Sequence, residues 1–476
     1  MSTYRPIAER IKDFRPVELP LVGEPLRSEL RRCQDCGIPF CHAMGCPLGN
    51  VIPEINTEAL HGRHGPALMK LLATSPFPEF TARICPALCE GSCVQGLNDV
   101  PVPIRLAELE VIERGFADGL VKALPPKTRL GISVGIVGSG PAGLSAAFYL
   151  NRAGAKVTVY EKDQAPGGFL RYGIPDFKLE KSVIDRRVLL MESEGVGFRT
   201  GVLAGEDISL RLLKREHDAL ILAIGSRRKR DLPIPGRDLR GVHFATDYLT
   251  AQNMEVSGEL ESIPEGLSAF GKKVIVIGGG DTGSDCVGTA WRQGAREVCQ
   301  YEIMPEPPKS RADSNPWPQW PKVFRTSSSL EEGGHRRWNV DSLAFLPSAN
   351  DPSALGALKF REVEWAKDDK GAFKPIPKPG TETVEQCDMV FLAMGFTGAE
   401  PGTLAPAEGF KSFRPGGLVA PGVYACGDAA TGPSLVVRAM ADGLAVARTA
   451  LLDLTAGGFD RRPHEASIAF GPGRRA

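Results

Sequence analysis

Cysteine is the residue whose placement first suggests chemistry. Seven of the eleven cysteines fall between Cys33 and Cys93. They form two groups, Cys33-x2-Cys36-x4-Cys41-x4-Cys46 and Cys85-x3-Cys89-x3-Cys93. Thiolates grouped in this way serve zinc, a redox dithiol, disulfides or iron–sulfur clusters. Zinc sites built from linked pairs repeat CxxC in each half, and the second group has none. A thioredoxin-type dithiol needs a strand–helix–strand setting that this segment lacks. Stable disulfides are rare in a reducing compartment. Proline follows both Cys46 and Cys85, as it follows the last cysteine of certain iron–sulfur runs, where that cysteine ligates the other of two clusters. The pattern favours iron–sulfur over zinc or structural thiols. Seven thiolates are one short of the number that two four-iron clusters take. Either a non-cysteine ligand completes the second cluster, or one cluster forms and three cysteines are spare. Cys286, Cys299, Cys387 and Cys426 lie in or beside apolar runs and read as small core residues.

Glycine supplies the second signal. Gly138-x-Gly140-x-x-Gly143 follows the apolar run ISVGIVG (132–138), opens the helical pattern PAGLSAAFYLNRAG, and precedes the strand pattern KVTVYE (156–161) ending in Glu161. In that setting Gly138 permits the tight turn, Gly140 lets backbone approach a pyrophosphate, and Gly143 lets the helix pack on the strand. The helix start turns unpaired N–H groups to the phosphates. Glu161 can accept hydrogen bonds from a ribose diol. The same plan recurs in KKVIVIGGGDTGSDCVGTAWRQGAREVCQYEI (272–303), with Gly278, Gly280 and Gly283 in the turn and Asp281 at the helix start. Two such sites suggest a flavin and a nicotinamide nucleotide. A 2′-phosphate would want arginine just after the second strand. That place reads CQYEIMPEPP, with Glu302, while Lys309, Arg311 and Arg325 follow in a loop and could fold back. The local reading leans to NADH and leaves NADPH open.

Positioning these groups takes several domains, and 476 residues suffice for two to four. The composition is that of a globular protein, 42% hydrophobic and 24% charged, and 54 glycines suit α/β turns. Lys and Arg balance Asp and Glu at 57 each, so no basic excess points to nucleic acid or an anionic membrane. The start MSTYRPIAERIKDF is not a secretory signal, and no stretch approaches the ~20 apolar residues of a membrane span. A cytoplasmic protein is expected. Residues 1 to 125 are cysteine-rich with helical apolar spacing, ALPPKTRLG (123–131) reads as a linker, and strands then alternate with helices. PEPPKSRADSNPWPQWPKV (305–323) is a long proline-rich loop.

Near the C-terminus, GVYACGDAATGPSLVVRAMADG (422–443) resembles the second FAD motif of flavoprotein disulfide reductase-like enzymes. LILAIGS (220–226) and VFLAMGF (390–396) resemble their crossing strands. That layout implies FAD at Gly138, Gly140, Gly143 and Glu161, with Gly427, Asp428 and Ser434 from the returning chain. It implies NAD(P)H at Gly278, Gly280, Asp281 and Gly283. GGFLRYGIP (167–175), with Gly168 and Tyr172, is expected to line the isoalloxazine.

The ordered set CQDCGIPFC…GCPLGNVIPE, ICPALCEGSC, GSGPAGLSAA, FLRYGIPDFKLEK, VIVIGGGDTGSDCVGTA and GDAATGPSLVVRAMADG resembles the small (β) subunit of bacterial NAD(P)H-dependent glutamate synthase, from residue 5 to 450. The N-terminal half also resembles the front of dihydropyrimidine dehydrogenase. The resemblance implies that Cys33, Cys36, Cys41 and Cys93 hold one 4Fe-4S cluster. Cys46, Cys85 and Cys89 hold the other, with Glu108, the last residue of PVPIRLAE, as the eighth ligand of the pair. The x3 gap between Cys85 and Cys89 is wider in some relatives, and the MPEPP…NPWPQWP loop stands where other members carry arginines.

The implied fold class is α/β. An N-terminal helical iron–sulfur domain (1–128) precedes a FAD domain (129–248 and 395–455) with an NAD(P)H domain (249–394) inserted, then a tail (456–476). The implied function is electron input: NAD(P)H oxidation at FAD, no acid–base residue being needed, and transfer through two clusters to a large (α) subunit making L-glutamate from L-glutamine and 2-oxoglutarate. The alternative is the same module serving a pyrimidine reductase or a ferredoxin-linked oxidoreductase.

Overall fold

In the structure, a computed structural model, residues 4–367, 371–400 and 417–456 are described. All of the expected tail after residue 456 lies outside them, as do residues 401–416 of the returning FAD segment.

The cysteine-rich segment folds as short helices, among them Gly23–Leu30, Ile52–Leu60, His64–Leu72, Pro78–Ile84 and Ile104–Ala117. Their apolar faces meet in a core of Leu26, Leu30, Ile55, Leu68, Leu71, Val111 and Ile112. Cys33, Cys41, Cys46 and Cys93 pack against this core and Cys89 lies within it. The thiols thus sit where the helices converge.

Two parallel sheets follow. In the first, the strand order is Leu418–Ala420, Val423–Ala425, Ala219–Leu222, Ser133–Val137, Lys156–Tyr160, Gly197–Arg199. Only the first pair is antiparallel. In the second sheet the order is Val242–Phe244, Met389–Leu392, Lys273–Ile277, Glu297–Tyr301, His335–Arg337, all parallel. Central strands such as SVGIV and KVIVI are apolar almost throughout because helices cover both faces of a parallel sheet. The second sheet is inserted between Ala219–Leu222 and Leu418–Ala420 of the first. Its edge strand Val242–Phe244 pairs with Val390–Leu392, and the helix Ala245–Val256 follows at once. An insertion boundary between residues 248 and 249 therefore cuts a helix, and the inserted sheet starts at Val242. A two-stranded ribbon, Arg228–Lys229 with Phe396–Gly398, carries the chain across between the sheets. An antiparallel sheet built on Leu355–Lys367 caps the inserted unit.

Buried ion pairs join the parts. Arg187 Nε donates to Glu79 Oε1 at 2.5 Å, linking the first α/β unit to the helical domain. Arg10 and Arg292 both donate to Glu332, at 2.6 to 2.9 Å. That network ties the N-terminal arm to the inserted unit.

Candidate functional site

The helical domain contains two small cavities lined by thiols. Cys33, Cys36, Cys41 and Cys93 line one. Cys46, Cys85, Cys89 and Glu108 line the other. The turn Cys41–Gly45 separates Cys41 from Cys46 and lies so close to Cys89 that a Cβ on Gly45 would come 2.6 Å from Cys89 Cα. The last two cysteines of CQDCGIPFCHAMGCP, Cys41 and Cys46, therefore face different cavities. The helix Leu88–Gly91 does the same with Cys89 and Cys93.

Burial pushes the thiols of Cys41 and Cys46 up to about 12, and raises Cys36, Cys85 and Cys89. Such groups become thiolates only with a bound cation to compensate. Glu108 is 7% exposed, and burial pushes its carboxyl up to about 7. Asn50 Nδ2 donates to Glu108 Oε1 at 2.8 Å, and Thr74 Oγ1 donates to Asn50 Oδ1 at 2.8 Å. This pair orients the carboxylate. Asn50 and Thr74 carry no sequence signal, because their role exists only through packing. The donor set of four thiols in one cavity, and three thiols with a carboxylate in the other, fits iron–sulfur ligation.

The first glycine turn opens a deep cleft. Gly138 has φ 98°, and a Cβ there would lie 2.5 Å from the carbonyl oxygen of Ala223. A Cβ on Gly143 would run into the Gly138 carbonyl oxygen. Nothing lies within 4 Å of a Cβ on Gly140, which faces open space. Glu161 accepts from Ser139 N at 2.9 Å, Ser139 Oγ at 2.5 Å and Asp163 N at 3.0 Å, which locks the turn to the strand end. Gly138, Gly140, Glu161, Gly168, Asp428 and Ser434 line this one cleft. Ser434 Oγ donates to Asp428 Oδ1 at 2.7 Å, and burial raises the Asp428 carboxyl. Gly427 does not face the cleft as a donor; its N–H goes to Asp442 Oδ2 at 2.7 Å, fixing the start of the motif. Asp442, on the helix Val436–Thr455, was not marked by sequence reasoning.

Tyr172 departs from the expectation. Its ring is 3% exposed, and its hydroxyl receives Ala165 N–H at 3.1 Å and donates to Glu259 Oε2 at 3.0 Å. It does not line the cleft, which Phe169 does; its hydroxyl is held instead by Glu259 of the inserted unit.

The second glycine turn mirrors the first. Gly279 N donates to Glu302 Oε2 at 2.6 Å and Met304 N to Glu302 Oε1 at 3.0 Å. Glu302 thus holds the position that Glu161 holds in the first unit. A Cβ on Gly283 would strike the Gly278 carbonyl oxygen. Asp281 lines a larger cleft that also receives Phe169 and Ser434 from the first unit and Cys85 from the helical domain. Lys178, from the segment FLRYGIPDFKLEK, pairs there with buried Asp285. Of the loop cations, Arg325 lines this cleft. Arg311 turns instead to the carbonyl oxygens of Gly91 and Gln319, at 2.8 and 2.6 Å.

The fold and these sites define a pyridine-nucleotide-dependent flavoprotein oxidoreductase of the disulfide reductase type with an appended 4Fe-4S domain. The family model described as pyridine nucleotide-disulphide oxidoreductase matches residues 132–315, and that described as dihydropyrimidine dehydrogenase domain II, 4Fe-4S cluster, matches residues 10–118. The chain is 46% identical to a glutamate synthase (NADPH) small chain of Mycobacterium tuberculosis, over 93% of this chain and 91% of the relative. It is 41% identical to that of Bacillus subtilis, over 92% and 93%. Glutamate synthase (NADH) of Saccharomyces cerevisiae is 41% identical over 93% of this chain, which spans 21% of that longer protein. The chain belongs to the glutamate synthase small-chain family. The solved structure of Mycobacterium tuberculosis FprA in complex with NADPH shares the fold, with TM-score 0.54 and 19% identity over 68% of this chain and 85% of that one.

Proposed function

We propose that the chain is the electron-input subunit of glutamate synthase. It oxidises NAD(P)H beside FAD and passes electrons through two 4Fe-4S clusters to a large subunit that makes L-glutamate from L-glutamine and 2-oxoglutarate. One observation carries this reading. A single cleft is walled by Asp281 and Thr282 of the second glycine unit, Phe169 and Ser434 of the first, and Cys85 of the helical domain. Donor, flavin and first cluster then share one cleft.

The bound groups supply the redox chemistry, a hydride taken up at the flavin and single electrons carried by the clusters. The chain's part is positioning. Gly138, Gly140 and Gly143 bring the start of the helix Pro141–Arg152 to the FAD pyrophosphate, and Glu161 holds the turn and takes the ribose. Gly168 packs over Gly140; a Cβ there would lie 2.9 Å from Gly140 Cα. Asp428, with Ser434 bound to it, faces the ribityl end, and Gly427 shapes that turn. Gly278, Gly280, Asp281 and Gly283 seat the coenzyme. Cys46, Cys85, Cys89 and Glu108 hold the cluster nearer the flavin, since Val437 lines their cavity while Ser434 and Val436 line the flavin cleft. Cys33, Cys36, Cys41 and Cys93 would hold the other, which would supply single electrons to the large subunit. The relatives named for NADPH and for NADH are similarly close, and both coenzymes are to be assayed.

Protein purified anaerobically is expected to contain about eight iron, eight sulfide and one FAD per chain, and to reduce a dye with NADPH or NADH. A flavin-loaded chain without dye reduction would refute the reading. The match of residues 10–118 to a dihydropyrimidine dehydrogenase model favours one rival, service to a pyrimidine reductase. Capture of a native partner with glutaminase activity decides against it.

A further inference from the structure

The proline-rich loop leaves the second glycine unit and lands on the helical domain. Its landing point is the segment between Cys89 and Cys93, which contributes one thiol to each cavity. Ser92, 2% exposed, donates Oγ–H to the carbonyl oxygen of Pro318 at 2.8 Å. Arg311 Nη2 donates to the carbonyl oxygen of Gly91 at 2.8 Å. The Trp320 ring lies on Gly91, where an added Cβ would be 2.8 Å from Cε3. Trp317 packs on Phe40 with ring centroids 4.6 Å apart, and Phe40 lines the cavity of Cys33, Cys36, Cys41 and Cys93. The loop is held in shape by buried Asn315, which takes Lys322 N–H at 2.8 Å and gives Nδ2–H to Trp320 O at 3.1 Å.

Arg325 packs over the same Trp320 ring, its guanidinium carbon 3.8 Å from the ring centroid. Arg325 lines the coenzyme cleft beside Asp281 and Thr282, at the start of the twelve-residue helix Asp281–Arg292. Its guanidinium makes no hydrogen bond to another described residue, so its donors are free for a ligand. A cation beside a helix N-terminus is a phosphate-binding arrangement.

We propose that Arg325 takes a phosphate of the coenzyme and that, through the stack Arg325–Trp320–Gly91, coenzyme occupancy is transmitted to the Cys89–Cys93 segment between the two clusters. The proposal rests on the reading of the cleft as the coenzyme site. Arg325 is a binding residue and Trp320 a positioning residue. A ligand that fixes Arg325 immobilises the ring against Gly91, and because coupling is reciprocal, the state of that segment alters coenzyme affinity by the same factor. The packed contact with no space for a Cβ makes the link stiff.

Hydrogen exchange on the full, flavin- and iron-loaded chain tests this. NADP⁺ and NAD⁺, which do not reduce the oxidised enzyme, serve as probes. Saturating NADP⁺ is expected to slow exchange in residues 86–98 of the wild type as well as in the turn at 278–283. R325Q should weaken binding about tenfold, the loss of one charge-assisted hydrogen bond, and at saturation should protect 278–283 but not 86–98. Equal weakening for both probes places the pyrophosphate at Arg325; weakening for NADP⁺ alone places the 2′-phosphate there. W320F should keep the protection, and W320A should lose it together with any coenzyme-induced change in the cluster spectrum of the reduced protein. An unchanged dissociation constant in R325Q, or unaltered exchange at 86–98 in the wild type, overturns the proposal. The wild-type measurement stands even where a variant fails to fold. A chain without iron or without coenzyme binding would instead refute the functional reading.

Discussion

Loss of Glu332 is expected to cost the fold several kcal/mol, on the order of 3–5. Its carboxylate is wholly buried and faces two guanidinium groups, those of Arg10 and Arg292, which are also buried. Arg292 Nη1 and Nη2 meet its two oxygens at 2.6 and 2.9 Å, and Arg10 Nε meets Oε1 at 2.8 Å. E332Q keeps the shape but leaves two buried cations facing a neutral amide. Breaking a buried pair in this way costs about 3–5 kcal/mol. Two features place the expected loss near the lower end. Glu331, 40% exposed, remains 3.0 Å from Arg10, and Arg292 keeps the carbonyl oxygens of Gly288 and Asp13 at 2.8 and 3.0 Å. At 2–4 °C per kcal/mol for a unit of this size, a loss of about 3 kcal/mol lowers the melting temperature of the inserted unit by roughly 6–12 °C. Scanning calorimetry and limited proteolysis of the N-terminal arm follow it. Replacing all three as R10M/R292M/E332L should recover most of the loss, since desolvation of the charges is then also removed. A melting shift under about 1 °C in E332Q, or a triple variant as unstable as the single one, would refute the reasoning.

Further outcomes are expected elsewhere. E108A should lower iron from about eight to about four per chain with flavin unchanged, and leave the Asn50 amide unpaired at a cost of about 1–3 kcal/mol; E108Q can still accept from Asn50 and should keep the fold. Full iron in E108A would remove Glu108 as a ligand. G143A should release flavin, because its Cβ meets the Gly138 carbonyl, whereas G283A should keep flavin and raise KM for the coenzyme at least about tenfold. The opposite pairing would exchange the two sites. His217 and His243 are held below the ordinary imidazole value, chiefly by burial. The folded chain favours their neutral forms, so the stability they contribute is complete above the unfolded value of ~6.5 and falls as pH drops through it. Urea midpoints measured across that window should decline toward acid, and a flat profile would exclude these two groups as contributors.

Much of this protein could be read before its tertiary structure was known. SVGIVGSGPAG and KVIVIGGGDTG announce strand, turn and helix because only glycine tolerates the positive φ and close backbone approach there, and those are local demands. The chemistry of the thiols was legible for the same reason, since ligand type and spacing are local. Tertiary structure decided which groups meet. The two thiol cavities interleave along the chain, so only packing separates Cys41 from Cys46 and joins Cys33 to Cys93. Asn50 orients Glu108 from 58 residues away, and Arg10 meets Glu332 across 322 residues. Tyr172, inside a glycine-rich motif, lies away from the flavin cleft because its hydroxyl bonds Glu259, 87 residues further along the chain. The start of the inserted sheet at Val242 depended on a strand partner, Val390, far down the chain. The proline-rich loop showed only that it could not be helix; its contact with the segment between Cys89 and Cys93 is a property of the folded surface. Periodicity and turn chemistry report what a backbone can do within a few residues, whereas buried charge, aromatic stacking and cavity walls arise only when distant segments exclude water together.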